Sequence, residues 1–378
     1  MKILLSIVLL CSLTFTSQAQ ERKRARDYGV KIGVLSPGKL NAITDVAGVT
    51  VGHVTLVQGS NIRTGVTAIL PHGGNIFQDK VPAAIFVGNG FGKLAGSTQV
   101  QELGTLETPI ILTNTLGVGT AMNAVVEYTL RQKGNEKVQS VNAVVGETND
   151  GGLNDIRGRH VKPEHVVKAI EQAKGGEVAE GNVGAGTGTI TFGFKGGIGT
   201  SSRKLPASLG GYTVGVLVQS NFGGVLQIDG APVGEQLGQF SFSRQILEKA
   251  DGSCMIIVAT DAPVDARNLE RMASRAMLGL AKTGGIASNG SGDYVISFST
   301  HPGCQVAYSP KEPVQQIPLL HNDEMSALFL ATIEATEEAI INSLFKAETM
   351  TGKEGRQIQA LPLDKTIQIL KKHHVIQP

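Results

Sequence analysis

Ser253 follows Asp251-Gly252 and precedes Cys254, and behind them runs a wholly apolar stretch from Met255 to Ala259. Two nucleophile-type side chains therefore stand where a tight turn enters a buried strand. A serine becomes nucleophilic only with a base at hand, most often a histidine. The eight histidines of the chain are scattered, and none has an acid or metal partner close by in sequence. No serine lies in a G-x-S-x-G elbow. H-E-x-x-H and C-x-x-C are both absent, so a metal site has no local support and no cofactor is expected. The stretches 88–93 (GNGFGK) and 184–188 (GAGTG) lack the spacing of phosphate loops and read as turns. His72-Gly73-Gly74 has the look of an oxyanion loop but no elbow serine to serve.

A base can also come from the chain itself. Cutting the peptide bond before Ser253 would make that residue an N-terminus, whose amine has a reference pKa of about 7.7–8.0. Such an amine is partly unprotonated at neutral pH and sits a few bonds from its own hydroxyl. Gly252 on the upstream side would allow the backbone distortion of an N→O acyl shift. On the residues alone, Asp-Gly-Ser reads first as ordinary turn chemistry, ahead of the nucleophile.

The elements that must position these residues read as follows. Strands are predicted over 49–57, 65–70, 83–87, 109–112, 141–145, 187–192, 213–218, 255–259 and 294–299. Several are apolar on both faces, as in sheets covered by other layers. Helices are predicted over 119–132, 163–173, 265–282, 324–347 and 363–372. No Pro/Ser/Gly tract divides the chain, and one large αβ domain with stacked sheets is the simplest reading. Glycine is abundant, 48 of 378 residues, with no repeating period. This suits tight turns and close backbone approach rather than a collagen or a solenoid.

The N-terminus sets the expected compartment. Lys2, an apolar run over 3–16 and Ser17-Gln18-Ala19 form a secretory signal peptide over residues 1–19. Cys11 lies inside the apolar run after Leu10 and does not make a lipoprotein site. The exported chain begins at residue 20 and is expected to be periplasmic or secreted, with no membrane attachment once the leader is gone. The basic run Arg22-Lys23-Arg24 with Arg26 reads as a solvated, frayed terminus. The formal net charge is only +2, and no nucleic-acid partner is expected. Cys254 and Cys304 remain after export, too few to fix a disulfide framework.

Resemblance sharpens the choice at Ser253. The stretch DGSCMIIVATDAPVDARNLERMASRAMLGLAKTGG (251–285) with GSGDYVISFST (290–300) resembles the L-aminopeptidase/D-esterase family, which includes the β-aminopeptidases. So do ITDVAGVTVGHVTL (43–56), GETNDGGLNDI (146–156), GAGTGT (184–189), VGVLVQSNFG (214–223) and TMTGKEGRQIQALPLD (349–364), all in order along the chain. The resemblance implies a four-layer αββα sandwich related to N-terminal-nucleophile hydrolases and shared with ornithine acetyltransferases. It implies a single catalytic domain, 20–378, cut between Gly252 and Ser253 into chains 20–252 and 253–378. These would stay associated as a heterodimer within a homo-oligomer.

By the same resemblance Ser253 is the nucleophile and Asn221 stabilises the oxyanion. Ser291 and Asp293 form a hydroxyl–carboxylate relay, and Glu147 receives the substrate's ammonium. The substrates implied are short peptides or aminoacyl amides and esters, hydrolysed through an acyl-enzyme. Two departures stand out: Asp293 is shorter than the Glu common in β-aminopeptidases, and Asn149 occupies a position where some members carry an aromatic hydroxyl. Cys254 is expected to face away from Ser253 as a small core residue. An acyltransferase of the same fold, a non-catalytic exported scaffold and a cysteine hydrolase on Cys254 are the alternatives.

Overall fold

The computed structural model describes residues 22–242 and 252–377. The signal-peptide reading, residue 20 and Asp251 lie outside these residues. Nine strands carry the architecture: β1 (Thr50–Gln58), β2 (Ile62–Leu70), β3 (Asp79–Gly90), β4 (Ile110–Asn114), β5 (Val144–Thr148), β6 (Gly197–Lys204), β7 (Thr213–Asn221), β8 (Ser253–Thr260) and β9 (Gly292–Ser299). The longer helices are α1 (Ser97–Leu103), α2 (Val118–Leu130), α3 (Pro163–Glu171), α4 (Ala266–Lys282), α5 (Met325–Lys346) and α6 (Leu363–Lys372).

The smaller sheet has the order β1-β2-β4-β5. The larger runs from the two-residue strand Val306–Ala307 through β3, β9, β8, β7 and β6. Apolar residues of both sheets, among them Leu112, Val144, Leu217, Met255, Ile257 and Ile296, fill the space between them. Helices α4 and α5 cover the outer face of the larger sheet, where Cys254, Ile256 and Val258 meet Leu269, Met272 and Ala339. Helices α2 and α3 cover the smaller sheet through Val125, Val166 and Ala169 against Val66 and Ile111. The order helix, sheet, sheet, helix is the αββα sandwich expected. Strand β8 is buried at every position because its two faces feed two separate cores, which is why its sequence is apolar without alternation.

The structure departs from the sequence reading at informative places. Strand β6 (GIGTSSRK) is absent from the expected strands because it carries so little apolar bulk. Its small residues serve close packing: a Cβ on Gly199 would lie 1.9 Å from the Ala339 carbonyl oxygen of α5. The helix thus rides almost directly on the strand backbone. The strand expected over 187–192 reduces to Ile190–Thr191, and that over 141–145 begins only at Val144. The basic run at the N-terminus is docked rather than frayed, although Lys23 itself is exposed. Arg22 donates to the carbonyls of Phe345 and Leu361, Arg24 pairs with Glu180 at 2.5 Å, and Arg26 pairs with Glu338 at 2.7 Å. Fully buried Arg203 completes this cluster, reaching Glu334 at 2.9 Å and Glu338 at 2.8 Å.

Candidate active site

Three strand ends meet at one edge of the larger sheet. Strands β7 and β8 are antiparallel, so Asn221, the last residue of β7, faces Ser253, the first of β8. Strands β8 and β9 are parallel, so Ser253 also faces Gly292, the first residue of β9. The Ser253 side chain is 5% exposed, and the buried strand behind it fixes its backbone. Its Oγ donates to the Gly252 carbonyl at 2.5 Å and accepts from the Gly292 amide at 3.3 Å. The hydroxyl therefore lies against the peptide that joins residues 252 and 253. What the surroundings of Gly252 require is space: a Cβ there would meet Phe222 Cα at 2.9 Å.

Ser291 and Asp293 flank Gly292. Their side chains are buried and joined, Ser291 Oγ donating to Asp293 Oδ1 at 2.8 Å. The pair reaches Ser253 through the Gly292 amide between them, while the Ser291 hydroxyl sits against Gly252. Burial pushes the Asp293 carboxyl up to about 6, against the opposing pull of the Ser291 hydroxyl and the Cys254 amide. Among the described residues its second oxygen, Oδ2, has no hydrogen-bond partner. Cys254 belongs to the helix-side core, opposite the face of Met255, and burial raises its thiol well above the usual range. A thiol so placed is a packing residue. Neither Cys254 nor Cys304 forms a disulfide.

The Asn221 amide is held at both ends. Its Oδ1 accepts from the Ile190 amide at 2.9 Å, and its Nδ2 donates to the Asn149 carbonyl at 3.2 Å. Asn149 acts here through its backbone, since its side chain folds back to accept from the Gly151 amide at 2.9 Å. Two residues earlier, within β5, Glu147 is buried, with Oε1 accepting from the Lys93 amide at 2.9 Å and Oε2 accepting from the Thr115 hydroxyl. Tyr294 stands nearby, its phenol raised by burial and by the Glu147 carboxylate.

Ser253, Gly252, Asn221, Asn149 and Glu147 all line one cavity of about 460 Å³. Ser291 and Asp293 lie behind it. Its walls add Phe91, Phe192, Phe222, Phe240 and Phe242, together with Lys93 and Arg356. Sequence reasoning passed over these. The 88–93 stretch, read as a turn, delivers Gly92 and Lys93 to Glu147; Gly92 is needed because a Cβ there would meet Tyr294 at 2.8 Å. Its only signal was a glycine-rich end to an apolar strand. Arg356 lies in the 349–364 stretch that carries the resemblance, but nothing around it marked a site residue. Chemically, the cavity places a hydroxyl, a side-chain amide and a buried carboxylate along one wall, an arrangement fit to engage an amine and a neighbouring carbonyl.

Comparison with known proteins matches this frame throughout. The description "Peptidase family S58" matches residues 41–358. The β-peptidyl aminopeptidase BapA of Sphingosinicella microcystinivorans is 43% identical over 93% of this chain and 93% of its own. Among solved structures, the PH0078 protein from Pyrococcus horikoshii OT3 superposes with a TM-score of 0.86 at 50% identity, covering 93% of this chain and 99% of that one. The L-aminopeptidase D-Ala-esterase/amidase of Ochrobactrum anthropi, described as a variant of the Ntn hydrolase fold, gives 0.86 at 35% identity with the same coverage.

Proposed function

The chain belongs to peptidase family S58, as an aminopeptidase of N-terminal-nucleophile-like fold, and on that premise we propose that it severs itself between Gly252 and Ser253 and then hydrolyses N-terminal aminoacyl bonds through an acyl-enzyme on Ser253. The observation that carries this reading is the Ser253 hydroxyl lying 2.5 Å from the Gly252 carbonyl oxygen, with Asn221 in register across the strand pair.

In the first reaction Ser253 Oγ attacks the Gly252 carbonyl carbon, the C–N bond breaks, and the Ser253 nitrogen takes up the hydroxyl proton and leaves as a free amine. Water then cleaves the resulting ester, giving a Gly252 carboxylate and restoring the hydroxyl. The new amine now serves as the base that the histidines do not supply. It takes the Ser253 proton as Oγ attacks the substrate carbonyl and passes it to the departing amine. Water, deprotonated by the same amine, then cleaves the acyl-enzyme ester, freeing the N-terminal residue and restoring the hydroxyl. Asn221 Nδ2 is placed to turn from the Asn149 carbonyl toward the developing oxyanion, a contribution of about 3–4 kcal/mol for one such donor. Glu147 receives the substrate ammonium and so restricts cleavage to the first residue. Ser291 and Asp293 hold the polar surroundings of the new amine.

The substrates are short peptides, amides or esters, and the names of the relatives favour β-aminoacyl groups among them. The N-terminal leader supports export to the periplasm or beyond. Denaturing electrophoresis with N-terminal sequencing tests the proposal. Two bands are expected, the smaller beginning at Ser253, while Ser253→Ala stays full length. A cut elsewhere, or efficient cutting of Ser253→Ala, overturns it. Rates on L-Ala, D-Ala and β-Ala p-nitroanilides then rank the acyl preference.

A further inference from the structure

The larger sheet orders the site in a row. Gly90, Gly292, Ser253 and Asn221 are successive partners across β3, β9, β8 and β7. Glu147 sits at the β3–β9 end of that row: a Cβ on Gly92 would meet both Glu147 Oε1 at 3.1 Å and Gly292 Cα at 3.2 Å. The other end continues past Asn221 to Ile190, whose amide holds the Asn221 oxygen. Beyond Ile190 comes Arg356. A Cβ on Gly152 would lie 2.8 Å from Ile190 Cδ1 and 3.8 Å from Arg356 Nη1. The cavity thus has the Glu147 carboxylate at one end with Lys93 beside it, the Arg356 guanidinium at the other, and the Ser253–Asn221 pair between them.

Arg356 is held in place but its charge is unspent. Its loop is tied to the 150–153 segment, with the Lys353 amide donating to Leu153 at 2.7 Å and the Gly352 amide donating to the Arg356 carbonyl at 2.9 Å. The nearest acid in sequence, Glu354, pairs with Lys353 at 3.4 Å. Among the described residues the Arg356 guanidinium makes no hydrogen bond or ion pair, and the side chain is exposed into the cavity. A planar fork of donors at the far end of a peptide site matches a carboxylate. From the Gly90–Gly292 end of the row to Asn221 lie two to three strand spacings, roughly 10–15 Å, and Arg356 stands beyond Asn221. The row alone spans three or four extended residues at about 3.3–3.6 Å each.

We propose that Arg356 binds the C-terminal carboxylate of the leaving peptide, making the preferred substrate a short peptide with both termini free. The assignment rests on the aminopeptidase reading above. Each end of the substrate is then read by a charge of opposite sign, and the scissile carbonyl is fixed by its distance from both.

The test compares three substrates sharing one N-terminal residue: a tripeptide free acid, the same tripeptide with a C-terminal amide, and the p-nitroanilide. With purified, cut wild-type enzyme, kcat/KM for the acid exceeds that for the amide by about tenfold, the scale of one charge-assisted hydrogen-bonded pair at a partly solvated site. In Arg356→Gln the acid-to-amide ratio falls to near one, through a rise in KM for the acid. Arg356→Lys, which keeps the charge but loses the fork, lies between. An enzyme that cuts the anilide but shows the same ratio in wild type and Arg356→Gln refutes the assignment. An enzyme inert to all three refutes the aminopeptidase reading, and the assignment with it.

Discussion

The Asp293 carboxyl titrates near 6 because burial opposes its charge while the Ser291 hydroxyl supports it at 2.8 Å. Replacing Ser291 with Ala removes a hydrogen bond to the ionised form, worth about 1.5–3 kcal/mol. At about 1.36 kcal/mol per unit, the carboxyl then rises by roughly one to two units. The uncut Ser253→Ala chain is the right background, since it releases no α-amine to titrate over the same range. Infrared difference spectra between that chain and its Asp293→Asn derivative isolate the Asp293 carboxyl as pH is raised. A midpoint near 6 is expected, moving to roughly 7–8 when Ser291→Ala is added. Stability must follow with a defined sign. From about 4 to about 6 the folded chain holds a proton that the unfolded chain releases, so stability falls as pH rises across that window. The loss amounts to about 3 kcal/mol and is complete above it. At pH 8 Asp293→Asn therefore unfolds at higher denaturant than its parent. A midpoint unmoved or lowered by Ser291→Ala, or an Asp293→Asn chain less stable than its parent at pH 8, refutes the reasoning.

Three further outcomes follow from the geometry. Asn221→Ala, in enzyme that has matured, lowers kcat by about 10²–10³ with a smaller change in KM; equal losses in ground-state binding would remove the oxyanion role. Gly199→Ala drives a Cβ into the Ala339 carbonyl and costs about 1–3 kcal/mol in urea unfolding. Arg203→Ala leaves the buried Glu334 carboxylate without a cation and Glu338 with Arg26 alone, and costs about 3–5 kcal/mol, whereas a loss under 1 kcal/mol would mean water reaches the cluster.

Legibility in the sequence tracked the physics of each element. Strands such as β8, with Ile256 and Ile257 feeding opposite cores, announce themselves by apolar content. Helix α4 does so by its stripe of Leu269, Met272, Ala276 and Leu280 beside the Asp265 cap. Strand β6 was hidden because its glycines and serines make room for α5, so that fit replaced hydrophobicity as the signal. Arg22, Arg24 and Arg26 looked like a solvated tail because their partners, Glu180 and Glu338, lie more than 150 residues away. At the site, Ser253 stood out through its turn and the family resemblance. Lys93, Ile190 and the Asn149 carbonyl act through backbone groups, which residue identity does not encode. Arg356 enters from a loop that only the folded sandwich brings to the cavity.

The larger sheet interleaves the two sides of the 252–253 bond. Strands β9 and β8 come from the downstream side and lie between β3 and β7, both from the upstream side. Once the bond is cut, neither piece retains a complete set of neighbours, yet neither can leave without dismantling the sheet. Cleavage therefore alters the molecularity of folding. The precursor refolds as a first-order process at any dilution, while the cut enzyme must bring two chains together, so its recovery depends on concentration. At high dilution, the working lifetime of the cut form is then set by how slowly it unfolds rather than by how well it could refold.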